Sequence, residues 1–252
     1  MTAIRTRLAK LALRARIKRE LHDRDTTVRH LRRAMAAPPL LDKLPVGARK
    51  ETVAFTGDLH GIRVHSAQPE YTVLYFHGGA FIAGQTSTYQ GLAGYWARKL
   101  PGEVYLLDYR LAPEHPYPAA LDDCVTAYRS LLERGVDPAR LVLAGDSAGG
   151  NLTLATLLRV RDEGLPLPRC AVAFSPSSDA TCELPSIDGN DRRDSMLTAS
   201  MIRQASQIYL NGTDPRTPGA SPLHGDYQGL PPLFFTTSES ECLRDDCYAA
   251  VN

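Results

Sequence analysis

The 252-residue chain carries 29 Lys and Arg against 28 Asp and Glu, a formal net charge of +1, with 43% hydrophobic residues. That size and balance fit one large soluble α/β core or two small ones, and exclude both a disordered chain and the strong positive field that holds nucleic acid. No apolar run approaches the ~18 residues of a membrane span, and Arg and Lys interrupt residues 8–13, so neither a spanning segment nor a signal-peptide core is expected.

The charge is unevenly spread. Residues 1–36 hold eleven Lys and Arg against Glu20, Asp23 and Asp25. Through them Ile4, Leu8, Leu11, Ala15, Leu21, Val28, Leu31 and Met35 recur at helical spacing. Such a basic amphipathic stretch reads either as a membrane-surface or targeting helix, or as a pair of lid helices over a site. Pro38 and Pro39 end it.

From about residue 51 the pattern alternates. Strands are predicted over 52–55, 62–65, 73–76, 104–107, 141–144, 171–175 and 233–237, with helices over 89–100, 119–134, 149–162 and 198–210. Several strands are continuous apolar runs, the signature of burial on both faces, and strand–helix alternation predicts a mostly parallel sheet covered on both sides. The first two strands, joined by Thr56-Gly57-Asp58, read as an antiparallel hairpin. Cys124, Cys170, Cys182, Cys242 and Cys247 are odd in number and lack metal-ligand spacing. They read as reduced thiols of a cytoplasmic protein, with no metal or cofactor implied.

The chemistry concentrates at two strand ends. Residues 141–150 run Leu-Val-Leu-Ala-Gly-Asp-Ser-Ala-Gly-Gly and pass directly into a helical pattern. A Gly-x-Ser-x-Gly between strand and helix forces a sharp turn that lifts Ser147 above the sheet, over the positive end of the following helix. Directly after the strand at 73–76 comes His77-Gly78-Gly79-Ala80-Phe81. Acyl transfer needs donors where carbonyl charge develops, and backbone N–H groups approach that point only where Cβ atoms are absent or small. Gly78, Gly79 and Ala148 are the expected oxyanion donors, while His77 and Asp146 are expected to support the loops. Between the motifs, Pro113, Pro116 and Pro118 mark a rigid connection, so His115 reads as a surface-turn residue.

His77-Gly-Gly-Ala-Phe81, Tyr109-Arg-Leu-Ala-Pro-Glu114 and Gly145-Asp-Ser-Ala-Gly-Gly150 together resemble the hormone-sensitive-lipase-like branch of the α/β-hydrolases. The resemblance implies an α/β-hydrolase fold: cap helices over residues 1–40, a core over 41–252 and a second cap segment at about 180–215. It implies a carboxylesterase acting on short acyl esters, acetyl esters or lactones. It also places the catalytic acid at Glu241, with Glu239 and Asp245 as competitors.

The family order is serine, acid, histidine, and its histidine lies one helix and one strand beyond the acid. None of this chain's seven histidines follows Glu241, and the sequence closes at Asn252. His22 and His30 fall in the cap, His60 and His65 in the hairpin, and His224 in a turn the family does not use for catalysis. The expectation is therefore a fold without its last strand and helix and a triad without its base. Two alternatives to an active esterase follow, a small-molecule-binding protein on the same fold or a non-functional fragment. The basic N-terminus keeps membrane-surface contact as a further reading.

Overall fold

The computed structural model describes residues 11–12, 14–36, 44–65 and 69–251. Ile4, Leu8, Pro38 and Pro39 of the N-terminal reading lie outside them. Helix α1 (Arg24–Met35) opens on Asp23, whose carboxylate accepts the Thr26 N–H at 2.9 Å, and buries Thr27, Leu31 and Ala34. Strands β1 (Arg49–Thr56) and β2 (Leu59–His65) form the expected hairpin, with Gly57 at φ +52° in its turn. Strand β3 (Tyr71–Phe76) leads to helix α2 (Thr86–Lys99), and strand β4 (Gly102–Leu107) to helix α3 (Ala119–Glu133). Strand β5 (Leu141–Asp146) runs into helix α4 (Ala148–Asp162), followed by strand β6 (Cys170–Phe174). The short helix α5 (Ser186–Gly189), helix α6 (Ala199–Leu210), strand β7 (Leu233–Thr236) and helix α7 (Arg244–Val251) complete the described chain.

The seven strands form one sheet in the order β1-β2-β4-β3-β5-β6-β7. β2 pairs antiparallel with β1 and β4, and the remaining pairs are parallel. The central strands are buried almost throughout, every residue of β4 included, because helices cover both faces. α3 turns Ala120, Leu121, Cys124, Ala127, Tyr128 and Leu131 inward at helical spacing, onto the same core as Leu152 and Ala155 of α4. On the opposite face, Ala93 and Ala97 of α2 pack against Val73, Tyr75 and Val104. Toward β7 that face opens into a groove bordered by Tyr71, Trp96, Val172 and Phe174, where Phe234 is 62% exposed.

α1 does not join either main core. Ile17, Leu21, Leu31 and Ala34 pack with Met201, Ala205 and Ile208 of α6 and with Ile82 and Ala83 after β3. Arg32 fastens this layer to the body: its guanidinium donates to the Ile82 carbonyl at 3.1 Å, the Ala112 carbonyl at 3.2 Å and both Glu114 oxygens. No helix among the described residues is long and apolar enough to cross a membrane.

Candidate active site

Ser147 sits between β5 and α4 at φ +53° and ψ −118°, a conformation that costs a non-glycine residue about 1–3 kcal/mol. The surroundings enforce it. A Cβ on Gly145 would collide with the Gly149 and Phe76 carbonyl oxygens, and one on Gly149 would strike the Phe76 oxygen. The helix can therefore start against the end of β3 because both positions are glycine. The Ser147 N–H donates to the Phe174 carbonyl at 2.9 Å, and the Ser147 carbonyl accepts from Asn151 (3.0 Å) and Ser177 (3.1 Å).

The loop after β3 is bound to the serine turn by Asp146. Its carboxylate accepts Tyr75 Oη at 2.8 Å, Tyr89 Oη at 2.9 Å and the Gly78 N–H at 2.9 Å. Desolvation raises the Asp146 carboxyl above its ordinary pKa, opposed by those hydrogen bonds and by nearby His77. His77 is buried, which holds its imidazole below the usual value, so the ring is neutral and hydrogen-bonds through Nδ1 to the Gly78 carbonyl at 2.9 Å. It stacks on Tyr109 with ring centroids 4.2 Å apart, and Tyr109 Oη donates to the His77 carbonyl at 2.7 Å.

This arrangement revises one sequence expectation. Gly78 was expected to donate to an oxyanion, but its N–H is taken up by Asp146 and also faces Tyr89 Oη at 3.1 Å. The N–H groups of Gly79 and Ala80 have no acceptor among the described residues. Gly79 (φ +133°), Ala80 (φ +59°) and Phe81 (φ +61°) turn the backbone outward, and a Cβ on Gly79 would hit the Ala83 carbonyl. Ala148, first residue of α4, has no intrahelical acceptor for its N–H. The free amides are those of Gly79, Ala80 and Ala148. Ala80 was readable as the third residue after the histidine, where the resembling family has a third glycine.

Ser147 borders two cavities. The smaller, about 50 Å³, is lined by Ala80, Phe81, Ala148 and Asn151 and closed by Leu31 of α1 and by Met201 and Tyr209 of α6. Phe81 and Tyr209 stack at 3.7 Å with their rings nearly parallel. The larger, about 420 Å³, is bordered by Asp146, Ser147, Asp194, Ser240 and Glu241. Glu241 Oε2 accepts Thr237 Oγ1 at 3.1 Å. Its two sequence competitors point elsewhere: Glu239 is exposed and takes Tyr248 Oη and the Arg244 guanidinium, and Asp245 accepts the Ser186 N–H at 2.9 Å.

No histidine lines either cavity. His30 bonds the Ile17 carbonyl, His60 the Asp58 carbonyl, and His224 Nε2 lies 3.5 Å from Asp179. No group of His, Cys, Asp and Glu among the described residues is disposed to hold a metal ion.

Residues 73–252 match a family described as alpha/beta hydrolase fold. A solved hormone-sensitive lipase from a metagenome library superposes with a TM-score of 0.88 at 32% identity, covering 100% of this chain and 83% of that one. The chain belongs to the hormone-sensitive-lipase-like α/β-hydrolases. An esterase of the bacterial hormone-sensitive lipase family gives a TM-score of 0.84 at 34% identity over 99% of this chain and 82% of that one. Among curated relatives of this hydrolase, an acetyl-hydrolase of Streptomyces hygroscopicus is 45% identical over 178 residues, 71% of this chain. The chain spans 60% of that relative's length. The carboxylesterase NlhH of Mycobacterium tuberculosis is 36% identical over 240 residues, 88% of this chain and 73% of its own.

Proposed function

We propose that this α/β-hydrolase acts on carboxylic esters of short acyl chains, with Ser147 as nucleophile. The observation that carries the reading is Ser147, held at positive φ between two cavities, one lined by Ala80 and Ala148 and the other by Glu241. Its Oγ adds to the ester carbonyl while its proton passes to an added imidazole, since no histidine of this chain lines the site. The carbonyl oxygen, now negative, takes hydrogen bonds from Gly79, Ala80 and Ala148, each donor of this kind being worth about 10²–10³ in rate. Expulsion of the alcohol leaves an acyl-serine that water hydrolyses by the reverse sequence. Glu241 is the carboxylate that orients the imidazole and stabilises its charged form.

The small cavity is the acyl pocket in this reading. Its volume of about 50 Å³ suits a short acyl group rather than a long chain. The acetyl-hydrolase and carboxylesterase relatives agree with that class. Five free thiols, four of them buried, fit a reducing compartment such as the cytoplasm.

None of the seven histidines reaches Ser147, so added imidazole is the informative reagent. The chain should react covalently with a fluorophosphonate at Ser147 and should hydrolyse p-nitrophenyl acetate faster with imidazole than imidazole alone does. Ser147→Ala should abolish the labelling and return the rate to that of free imidazole. A Ser147→Ala variant that keeps the accelerated rate refutes the nucleophile. Thermal stabilisation by esters or lactones, with neither labelling nor rescue, assigns the cavity to binding instead.

A further inference from the structure

The basic N-terminal region is not spent on holding the cap in place. Arg32 and Lys18 are the cations that do so, Arg32 through Glu114 and Lys18 through the carbonyls of Asp191 and Asp194. The others gather elsewhere. Arg16 and Arg19 from the segment before α1, with Thr26, Arg29, His30 and Arg33 of α1, line a separate polar pocket of about 360 Å³. The His30 ring bonds the Ile17 carbonyl at 2.6 Å and so fixes one wall against the other.

None of these four arginines forms an ion pair with a carboxylate among the described residues, although the Asp23 carboxyl is lowered by its Thr26 hydrogen bonds and, to a smaller degree, by the Arg29 charge. Arg16 donates to the Ala36 carbonyl and Arg29 to Thr26 Oγ1, and the guanidinium groups of Arg19 and Arg33 make no bond among the described residues. Elsewhere on the surface, Arg110, Arg159 and Arg203 each find an acidic partner. The nearby acids are committed or outside the pocket: Glu20 accepts Ser200 Oγ at 2.8 Å, Asp23 caps α1, and Asp25 does not line the cavity. Four like charges facing one hollow repel each other, and an anion of charge two or more removes that repulsion. Guanidinium forks suit the several oxygens of a phosphate, whereas a single carboxylate engages one fork.

We propose that this pocket binds a phosphate group, supplied either by a soluble phosphorylated molecule or by the headgroup of an anionic lipid. The site is separate from Ser147, and the inference does not depend on ester hydrolysis. The two sites share a helix, since Leu31 on the other side of α1 lines the small cavity beside Ser147.

The test uses the whole chain and two probes, inorganic pyrophosphate and vesicles of equal parts phosphatidylcholine and phosphatidylglycerol, with pure phosphatidylcholine vesicles as blank. The pocket variant is Arg19→Gln, Arg29→Gln, Arg33→Gln. A control variant, Arg49→Gln, Arg98→Gln, Arg192→Gln, removes the same charge from unpaired arginines outside the pocket. Calorimetric titration and vesicle sedimentation should show binding by the unsubstituted chain and by the control. Binding by the pocket variant should be weaker by about a hundredfold, as expected for three basic contacts. Pyrophosphate binding identifies a soluble phosphate as sufficient, and binding to the anionic vesicles alone identifies a lipid headgroup. Equal weakening in the two variants, or no binding of either probe by the unsubstituted chain, overturns the proposal.

Discussion

Two regions face each other across the larger cavity and are built on opposite principles. On the Ser147 side, position comes from the backbone: β5 ends, the chain reverses at one strained residue, and α4 starts against the carbonyl of Phe76. On the Glu241 side, position comes from polar side chains far apart in sequence. Asp194 accepts the Cys242 N–H at 2.9 Å, Asn190 donates to the Glu239 and Glu241 carbonyls, and Asp246 accepts the Asp179 N–H at 2.9 Å. The first region is rigid through lack of room. The second is rigid only while its hydrogen bonds hold, so pH and single substitutions should act on it more readily.

The largest effect after loss of Ser147 should come from Asp146→Asn, whose amide keeps one acceptor oxygen for Tyr75 and Gly78 but sets a donor against Tyr89 Oη, which now donates to the other carboxylate oxygen. Displacing the glycine loop by about 1 Å lowers rate about a hundredfold, so imidazole-dependent ester turnover should fall by that order while fluorophosphonate still labels Ser147. An unchanged rate would show that the backbone alone holds the loop.

Glu241→Gln should lower the imidazole-dependent rate by about tenfold or more, with Glu239→Gln and Asp245→Asn close to neutral in the same assay. If Glu239→Gln instead carries the loss, the acid has been misplaced on the exposed side of the turn.

Asp246 gives the smallest and most direct test of the second region. Burial, with Asp179 close by, pushes its carboxyl up to about 8, and Oδ2 has no partner. A folded-state pKa raised above the unfolded value means that this group's stabilisation is complete in acid and fades as pH climbs toward 8. The slope reaches at most about 1.4 kcal/mol per pH unit between pH 5 and 8. Denaturant midpoints measured across that range should fall with pH, and Asp246→Asn should flatten the trend. A wild-type midpoint independent of pH would remove Asp246 as its cause.

The same contrast explains what could be read from the residues alone. Ser147, Asp146 and the glycine loop announce themselves because a strand, a reversal and a helix leave a local pattern of small residues around one polar one. The central strands were visible for a related reason: burial on both faces writes continuous apolar runs such as Val73–Phe76. The local pattern did not show which amides stay free. The Gly78 N–H is held by Asp146, 68 residues away, which no local pattern announces. Glu241 could be separated from Glu239 and Asp245 only through family likeness, since the bonds made by Asn190 and Asp194 span about fifty residues and leave no spacing to detect. The basic N-terminus likewise carried two meanings in sequence. In the fold Arg32 fastens α1 to the body, whereas Arg19 and Arg33 face a hollow.

Because Asp146 precedes Ser147 in the chain and also grips the Gly78 amide, the attacking oxygen and the receiving loop share one attachment point. When the sheet flexes, both should travel together, preserving their separation while their distance to the cap changes. Under the proposed ester hydrolysis, a bulky acyl group would then be refused by α1 and α6, which line the small cavity, rather than by the serine turn. Variants that widen acceptance should accordingly arise in α1 and α6, with the serine turn left untouched.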